Sequence, residues 1–289
     1  MHAHVTKGVA GASRSAGLLR QPCKLIPPSC KPRCLCQPPR ASSEQATRVE
    51  VPGLKPEPWL GSPEQLAALS DLRQRMVQNS GPRGQSLDDR TLRWYLRDRS
   101  FDVDEAEQKL QALLRWKEVL RPETLTYERV AEEYATGKVY TTQQLDKFGR
   151  PAIVVRCKLH RIGEFPLADS QALAAFMLDQ AVRTAEDLGQ EQIVGIFDLR
   201  GFNVQKNADF TFARFLIDLF FEIHPKRVGQ VLFVDAPWAF KPAWAIIQPL
   251  MRKYAALVRF VSVAELQNEY FTPDTVPPDF AETTLDTSS

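Results

Sequence analysis

The spacing of hydrophobic residues divides the chain into two parts that meet near residue 139. In the first part, apolar residues recur every three or four positions, which is the period of an amphipathic helix; examples are Leu66, Leu69 and Leu72. Ser62 and Asp102 have side chains that cap helix N-termini, and Pro63 suits a first helical position. We therefore predict an all-helical module over residues 62–136, preceded by a proline-containing linker over residues 44–61.

From Val139 onward, short apolar runs bounded by turn residues alternate with longer segments of helical period. The runs predict buried strands at Ala152–Val155, Ile193–Phe197, Val231–Val234 and Leu257–Val261. The longer segments predict helices at Asp169–Leu188, Asp209–Ile223 and Ala239–Leu250. Apolar strands separated by helices are typical of βαβ units. The predicted fold class is α/β, with a helical module followed by a mainly parallel sheet flanked by helices.

The predicted helix Ala239–Leu250 combines a strongly apolar face with two prolines. Pro242 falls in its first turn, where no backbone donor is missed. Pro249 removes a backbone hydrogen bond and is expected to kink or end the helix. Two interpretations stay open: a mobile lid over an apolar ligand, and an ordinary core helix that ends at Leu250.

The preceding helix, Asp209–Ile223, carries phenylalanine on nearly every face. One face can pack on the sheet, and the others can line a cavity beneath the proline-bearing helix. For any single phenylalanine, a plain core role is the alternative.

Charge is distributed unevenly along the chain. Residues 1–43 contain seven of the 37 basic residues and are rich in serine, proline and alanine, whereas all 35 acidic residues follow. This composition is typical of an organellar transit peptide, with plastid favoured over mitochondrion by the serine and proline content. A basic tail that stays attached is the alternative. The remaining chain is net acidic, which gives no reason to expect nucleic acid as a partner.

Cysteine usage indicates neither a metal site nor a disulfide framework. Four of the five cysteines lie within residues 1–43 without a histidine or acidic residue nearby to complete a ligand set. No apolar run approaches the roughly 18 residues that cross a bilayer. Any membrane contact is therefore expected to be peripheral.

Motifs of nucleotide binding and hydrolysis are absent: neither G-x-G-x-x-G, nor a P-loop, nor G-x-S-x-G occurs. Asp198, directly after a predicted strand, is the best candidate for a catalytic acid. An aspartate before a turn more often accepts hydrogen bonds from the amides that follow, here up to Gly201. We predict that the protein is not an enzyme and needs no cofactor.

Four ordered stretches resemble the CRAL-TRIO family of lipid-binding proteins, which includes phosphatidylinositol and tocopherol transfer proteins. They are TLRWYLRDRSFDVDEAEQKLQALLRWKEVL (Thr91–Leu120), DKFGRPAIVVR (Asp146–Arg156), QIVGIFDLRGFNV (Gln192–Val204) and HPKRVGQVLFVDAPWAFKPAWAIIQPLM (His224–Met251). The resemblance implies a lipid-binding domain over residues 137–280, a short tail over residues 281–289, and an apolar pocket closed by the proline-bearing helix.

The resemblance also implies which residues meet a ligand and a membrane. The expected ligand contacts are Ile196, Asn203, Gln205, Phe212, Phe215, Leu216, Val234, Phe240, Trp244 and Ile247. The expected contacts with an anionic membrane are Lys226, Arg227, Arg252 and Lys253, and a solvated basic rim is the alternative. Phosphatidylinositol-binding members carry glutamate where this chain has Lys226, so recognition of inositol in their manner is not expected.

These features predict a carrier that encloses a phospholipid or isoprenoid in a lidded pocket and exchanges it at a membrane surface. The alternative is a lipid-sensing scaffold that recruits a protein partner without net transfer. An acyl-modifying or redox enzyme is a weaker third hypothesis.

The first testable prediction concerns targeting. A reporter protein fused to residues 1–43 should enter plastids and be trimmed near Arg40–Ser43, because this segment is basic and free of acidic residues. Fluorescence microscopy and N-terminal sequencing of the imported reporter measure both steps. Retention of the fusion in the cytosol, like the unfused reporter, would refute the prediction.

Overall fold

A computed structural model describes residues 54–281 of the chain, the side chain of Glu123 excepted. Outside the described residues lie the predicted transit peptide, the part of the linker that precedes residue 54, and the tail after residue 281. Within the described part, the predicted α/β class is confirmed: a helical module precedes a five-stranded, mostly parallel sheet.

The helical module consists of three helices, α1 (Pro63–Gln85), α2 (Asp89–Asp98) and α3 (Val103–Leu120). Ser62 and Asp102 accept hydrogen bonds from the first turns of α1 and α3, so both caps lie where the sequence predicts them, and Asp88 caps α2 in the same way. Their apolar faces form one separate core; its fully buried members include Leu72, Met76, Leu92, Leu96 and Leu110. The three stripes thus bury each other.

The sheet contains β1 (Val139–Leu145), β2 (Pro151–Arg156), β3 (Ile193–Asp198), β4 (Val228–Val234) and β5 (Val258–Val261), in that spatial order. β1 and β2 are antiparallel, and the other neighbours are parallel. The helices after the module are α4 (Tyr127–Tyr134), α5 (Leu167–Asp187), α6 (Val204–Asn207), α7 (Phe210–Ile217), α8 (Lys241–Met251) and α9 (Val263–Glu265). Each parallel connection therefore passes through helix, as βαβ units require.

Both faces of the sheet are apolar and covered. Helices α5, α7 and α8 cover one face, where Ile153, Val231 and Phe233 are buried. The C-terminal segment, residues 263–280, covers the opposite face and buries Phe271 and Phe280 completely. The central strands β2, β3 and β4 therefore carry apolar residues at successive positions, not at alternate ones.

Several predicted boundaries are wrong. Helix α5 begins at Leu167 after Pro166, two residues before the predicted cap Asp169, whose carboxylate instead accepts a hydrogen bond from Arg129 at 2.5 Å. Residues 79–84, whose asparagine, glycine and proline predict a loop, instead continue α1 with a kink at Gly81, where φ is +54°. The predicted helix Asp209–Ile223 divides into α7 and a turn of π-helix at Asp218–Ile223.

The end of the predicted linker also packs against the protein. Leu54 is buried in the main core, and the amide of Glu57 donates to the carbonyl of Arg97 at 3.1 Å. Trp59 lies beside Phe101 with ring centroids 6.1 Å apart. Residues 54–61 are thus attached to the helical module.

The helical module is joined to the sheet mainly at the turn Ile223–Arg227, just before β4. Trp94 Nε1 donates to the carbonyl of Pro225 at 2.8 Å, and Tyr95 OH donates to that of Ile223 at 2.6 Å. The ammonium of Lys226 donates to the carbonyl of Asp98 at 2.8 Å. Helix α2 therefore holds the turn through buried hydrogen bonds, which are costly to leave unmade.

A buried group of charges reinforces this junction. The carboxylate of Asp98 lies 3.2 Å from Lys109 Nζ and 3.7 Å from Lys226 Nζ. Burial lowers the pKa of both lysines, and the negative charge of Asp98 opposes that change. Asp98 is therefore the shared counter-ion of two buried ammonium groups.

The second prediction follows from that charge group. Asp98→Ala should lower the free energy of unfolding by about 3 kcal/mol, because it leaves Lys226 buried without the carboxylate beside it and leaves Lys109 with only the partly exposed Glu222, 3.6 Å from its Nζ. The exposed pair of Arg83 and Glu118 supplies the control, and Glu118→Ala should cost less than about 1 kcal/mol. Urea unfolding measures both values. Equal losses in the two variants would contradict the role assigned to Asp98.

Candidate functional site

An apolar cavity of about 140 Å³ lies between the helix-covered face of the sheet and helices α7 and α8. The strands contribute Phe197 and Phe233, α7 contributes Phe212 and Leu216, and α8 contributes Ile247. Its other apolar lining residues include Val155, Leu199, Phe202, Ala213, Ile217, Phe220, Phe221, Val231, Phe240, Ala243 and Met251. An aromatic-lined hollow of this kind suits an apolar ligand.

Aromatic rings in edge-to-face contact form the wall beneath α8. The ring centroid of Phe233 lies 5.3 Å from that of Phe240 and 5.5 Å from those of Phe197 and Trp244, with interplanar angles near 90° in each case. Phe240 also meets Phe202 at 5.3 Å. These separations are in the favourable range for aromatic pairs. The wall is thus stabilised by packing between rings.

Few polar side chains reach the cavity. Cys157 lines it, and burial raises the pKa of its thiol to about 12, so the thiol stays protonated. His160 also lines it and stacks on Phe212, with ring centroids 4.8 Å apart. Asn207 and Asp209 complete the polar part of the lining, at the turn that leads into α7.

Helix α8 is weakly supported by its own backbone. No side chain caps its N-terminus, and Pro249 has no N–H to donate to the preceding turn. It ends at Met251, and Arg252 follows with φ of +49°, an unfavourable conformation for a residue other than glycine. Pro242 lies in the first turn, as predicted. Packing on the cavity wall, more than hydrogen bonding, holds α8 in place.

The structure brings together some of the predicted ligand contacts. Phe212, Leu216, Phe240 and Ile247 line the cavity. The partly buried side chains of Phe215 and Trp244 pack against the same core, and the cavity lining does not include them.

The other four expected contacts lie elsewhere in the structure. Ile196 and Val234 point to the opposite face of the sheet, where the C-terminal segment buries them completely. Asn203 and Gln205 are exposed, and the side-chain oxygen Oδ1 of Asn203 caps helix α6 by accepting a hydrogen bond from the backbone amide of Lys206. These four side chains therefore do not reach the cavity.

The predicted basic membrane surface also needs correction. The side chain of Lys226 is only 5 % exposed and that of Arg227 only 11 %. Arg227 donates to Glu186 at 2.7 Å and lies over the Trp94 ring, 3.4 Å from its centroid. Both residues join the helical module to the sheet and cannot meet a bilayer in this structure. Arg252 and Lys253 are exposed, as expected.

Sequence reasoning missed His160 and the strand residues Phe197 and Phe233. Each strand residue is the neighbour of a predicted contact, so the error is one position along an apolar strand. In each strand, the aromatic residue lines the cavity and its aliphatic neighbour does not. The large aromatic side chain was the sequence feature that could have identified the lining residue. Nothing local in the sequence around His160 indicates a position in an apolar cavity.

A larger cleft of about 690 Å³ lies between α2, α3 and α5. It is lined by many charged residues, of which Glu186 pairs with both Arg90 and Arg227 and Asp179 with Arg183. Because the lining of this cleft is rich in charge, the apolar cavity is the better candidate for a hydrophobic ligand.

Asp198, the candidate for a catalytic acid, is paired within its own turn. The Asp198 carboxylate is occupied by the Arg200 guanidinium at 2.9 Å and by the Arg200 amide at 3.0 Å, which confirms its role in the turn. Across residues 54–281, no cluster of metal-ligating side chains occurs. In the same range, no helix is both long and apolar enough to span a bilayer.

Residues 134–280 match the sequence model of the CRAL/TRIO domain. Phosphatidylinositol transfer protein CSR1 of Eremothecium gossypii is 27 % identical over 65 % of this chain and 46 % of its own length. The alpha-tocopherol transfer protein-like protein of Homo sapiens is 26 % identical over 63 % of this chain and 54 % of its own. The chain thus spans about half the length of these curated relatives.

Among solved structures, the fold is similar to that of Sfh5. The TM-score is 0.56 at 11 % sequence identity, over 72 % of this chain and 84 % of the other. At this level of identity the likeness concerns the fold alone.

Proposed function

The chain belongs to the CRAL/TRIO domain family, and from this premise we propose that it binds a hydrophobic lipid and exchanges it at a membrane surface without catalysing a reaction. The observation that carries this proposal is the aromatic-lined cavity between the sheet, α7 and α8. The names of the relatives, which refer to phosphatidylinositol and tocopherol transfer, support the same class of function.

The size of the cavity implies that the protein must open to take a lipid. A cavity of about 140 Å³ matches one that holds a molecule such as benzene, whereas sites for drug-sized ligands have at least about 300 Å³. Helix α8 is the element best suited to move, because it lines the cavity and its N-terminus lacks a side-chain cap. We infer that α8 acts as the lid.

The third prediction tests ligand binding. The purified protein should carry a stoichiometric lipid in native mass spectrometry, and Ala213→Phe should abolish this occupancy, because the added ring fills the cavity. Extraction with organic solvent identifies the lipid.

Leu216→Met is the matched control, since it changes a lining residue at nearly constant volume and should keep the lipid. Circular dichroism checks that each variant is folded. A folded wild-type protein that stays empty, even after incubation with lipid vesicles, would favour the scaffold over the carrier.

The surface around α8 supports contact with a bilayer. Trp238, just before α8, is 82 % exposed, and Ile246 on α8 is 52 % exposed. Tryptophan is favoured at membrane interfaces because its ring is apolar and its N–H is polar. Lys241, at the start of α8, is exposed like Arg252 and Lys253 after its end. Exposed apolar and exposed basic side chains are therefore both present on the proposed lid and at its two ends.

The fourth prediction concerns that surface. Replacing Arg252 and Lys253 together with glutamine should weaken binding to phosphatidylserine vesicles about thirtyfold at low salt, because each basic contact contributes about 1 kcal/mol. The salt dependence should flatten as well. Vesicle co-sedimentation over a range of salt concentrations measures both effects.

The control changes the same charge on the helical module, by replacing the exposed Arg115 and Arg121 with glutamine. It should leave vesicle binding nearly unchanged. Equal weakening by the two double variants would show that net charge, and not this surface, attracts the protein to the vesicle.

A further inference from the structure

His160 is a polar side chain without a polar partner in the wall of an apolar cavity. Both ring nitrogens are buried, and neither has a hydrogen-bond partner among the described residues. The nearest acidic oxygen, Oδ2 of Asp209, lies 4.0 Å from Nε2, which is beyond hydrogen-bond distance. Buried polar atoms are nearly always paired in folded proteins, so an unpaired imidazole requires an explanation.

The ring is held in position by its surroundings. Its face stacks on Phe212 at an interplanar angle of 21°. The backbone carbonyl of His160 accepts a hydrogen bond from Asn207 Nδ2 at 2.7 Å, and Asn207 also lines the cavity. The two turns that carry His160 and Asn207 are therefore fastened together. A ring fixed in this way is pre-organised to meet a ligand in the cavity.

The imidazole is neutral near pH 7. Burial and the positive charge of Lys138 lower the pKa of His160, against the opposing charges of Asp209, Glu133 and Glu164. A neutral imidazole offers one N–H donor and one nitrogen acceptor. A hydroxyl group can satisfy either nitrogen, since it both donates and accepts.

The charge of the lining argues against an anionic group in the same place. Asp209 is the one ionisable carboxylate of the lining, and among the described residues no lysine or arginine lines the cavity. A phosphate or carboxylate beside His160 would thus be buried near a like charge without a counter-ion, which is costly.

We propose that His160 is the polar anchor of the cavity and hydrogen-bonds a hydroxyl group on an otherwise apolar, uncharged lipid. This inference rests on the proposed lipid-binding function and names the class of ligand, an alcohol of a long hydrocarbon or isoprenoid. The uncharged head lies inside the cavity next to Phe212, and the hydrocarbon chain runs along the aromatic wall toward α8.

The fifth prediction compares three ligands of equal chain length: decanol, decane and decanoate. Their ability to displace the neutral fluorescent dye Nile red is measured with the wild-type protein, His160→Phe and His160→Gln. His160→Phe should weaken the binding of decanol about five- to tenfold, because the hydrogen bond is lost, and should leave the affinity for decane unchanged or higher. His160→Gln, which keeps a donor and an acceptor, should recover most of the affinity for decanol. Decanoate should bind the wild-type protein more weakly than decanol.

His224→Phe is the matched control, because His224 is the other histidine of the described residues and lies outside the cavity, edge-on to Trp116. It should not change the ratio of decanol to decane affinity.

If His160→Phe and the wild-type protein bind decanol equally well, or if decanoate binds better than decanol, the anchor is refuted while the lipid-binding function stands. If His160→Phe weakens the binding of decane as well, the His160→Gln variant decides between the two explanations. Recovered affinity for decanol in that variant supports the anchor, and unrecovered affinity refutes it. Failure of the wild-type protein to bind any of the three ligands refutes the anchor and the proposed function together.

Discussion

The sheet has apolar side chains on both faces, and each face must be removed from water by another part of the chain. The C-terminal segment covers one face closely, burying Phe271 and Phe280. Helices α5, α7 and α8 cover the other face less completely, and the remaining space is the cavity. Each buried side chain of this size contributes about 1.5–3 kcal/mol. The same burial that stabilises the domain therefore also shapes its candidate binding site.

The junction between the helical module and the sheet shows how tertiary contacts change the meaning of a motif. In the sequence, Lys226 and Arg227 form a basic pair beside a turn. In the structure, Asp98 and Glu186 neutralise them, and Trp94 and Tyr95 bind the backbone of the same turn. Because a buried lysine or arginine must have a counter-ion, the helical module and the turn are complementary parts of one junction. Only Arg252 and Lys253 of the expected basic surface are free to face a membrane.

The elements around the cavity are held in place by interactions of different strength. The strands and α7 form the fixed wall, where aromatic rings interlock and Asp209 caps α7. Helix α8, with Pro249 and no side-chain cap, depends on its packing against that wall. A helix held by packing can separate at a lower cost when an apolar lipid or a bilayer replaces the contacts that it loses. Opening and membrane contact are thus physically linked at the same surface.

The sequence alone determined which elements form, because hydrophobic period, caps and prolines act over a few residues. The caps Ser62 and Asp102, the strands β2 to β5 and the proline-bearing helix could all be read in this way, whereas the largely polar strand β1 was not predicted. The family resemblance added the general place of a pocket. Only the tertiary structure shows which face of each strand meets the cavity. Strands β3 and β4 are apolar at successive positions, so the hydrophobic pattern does not tell which residues point to which face of the sheet. For that reason Ile196 and Val234 were expected where Phe197 and Phe233 lie. The burial of Lys226 and the position of His160 depend on residues more than 40 positions away in the chain, Asp98 and Phe212 among them, and no local pattern records such contacts.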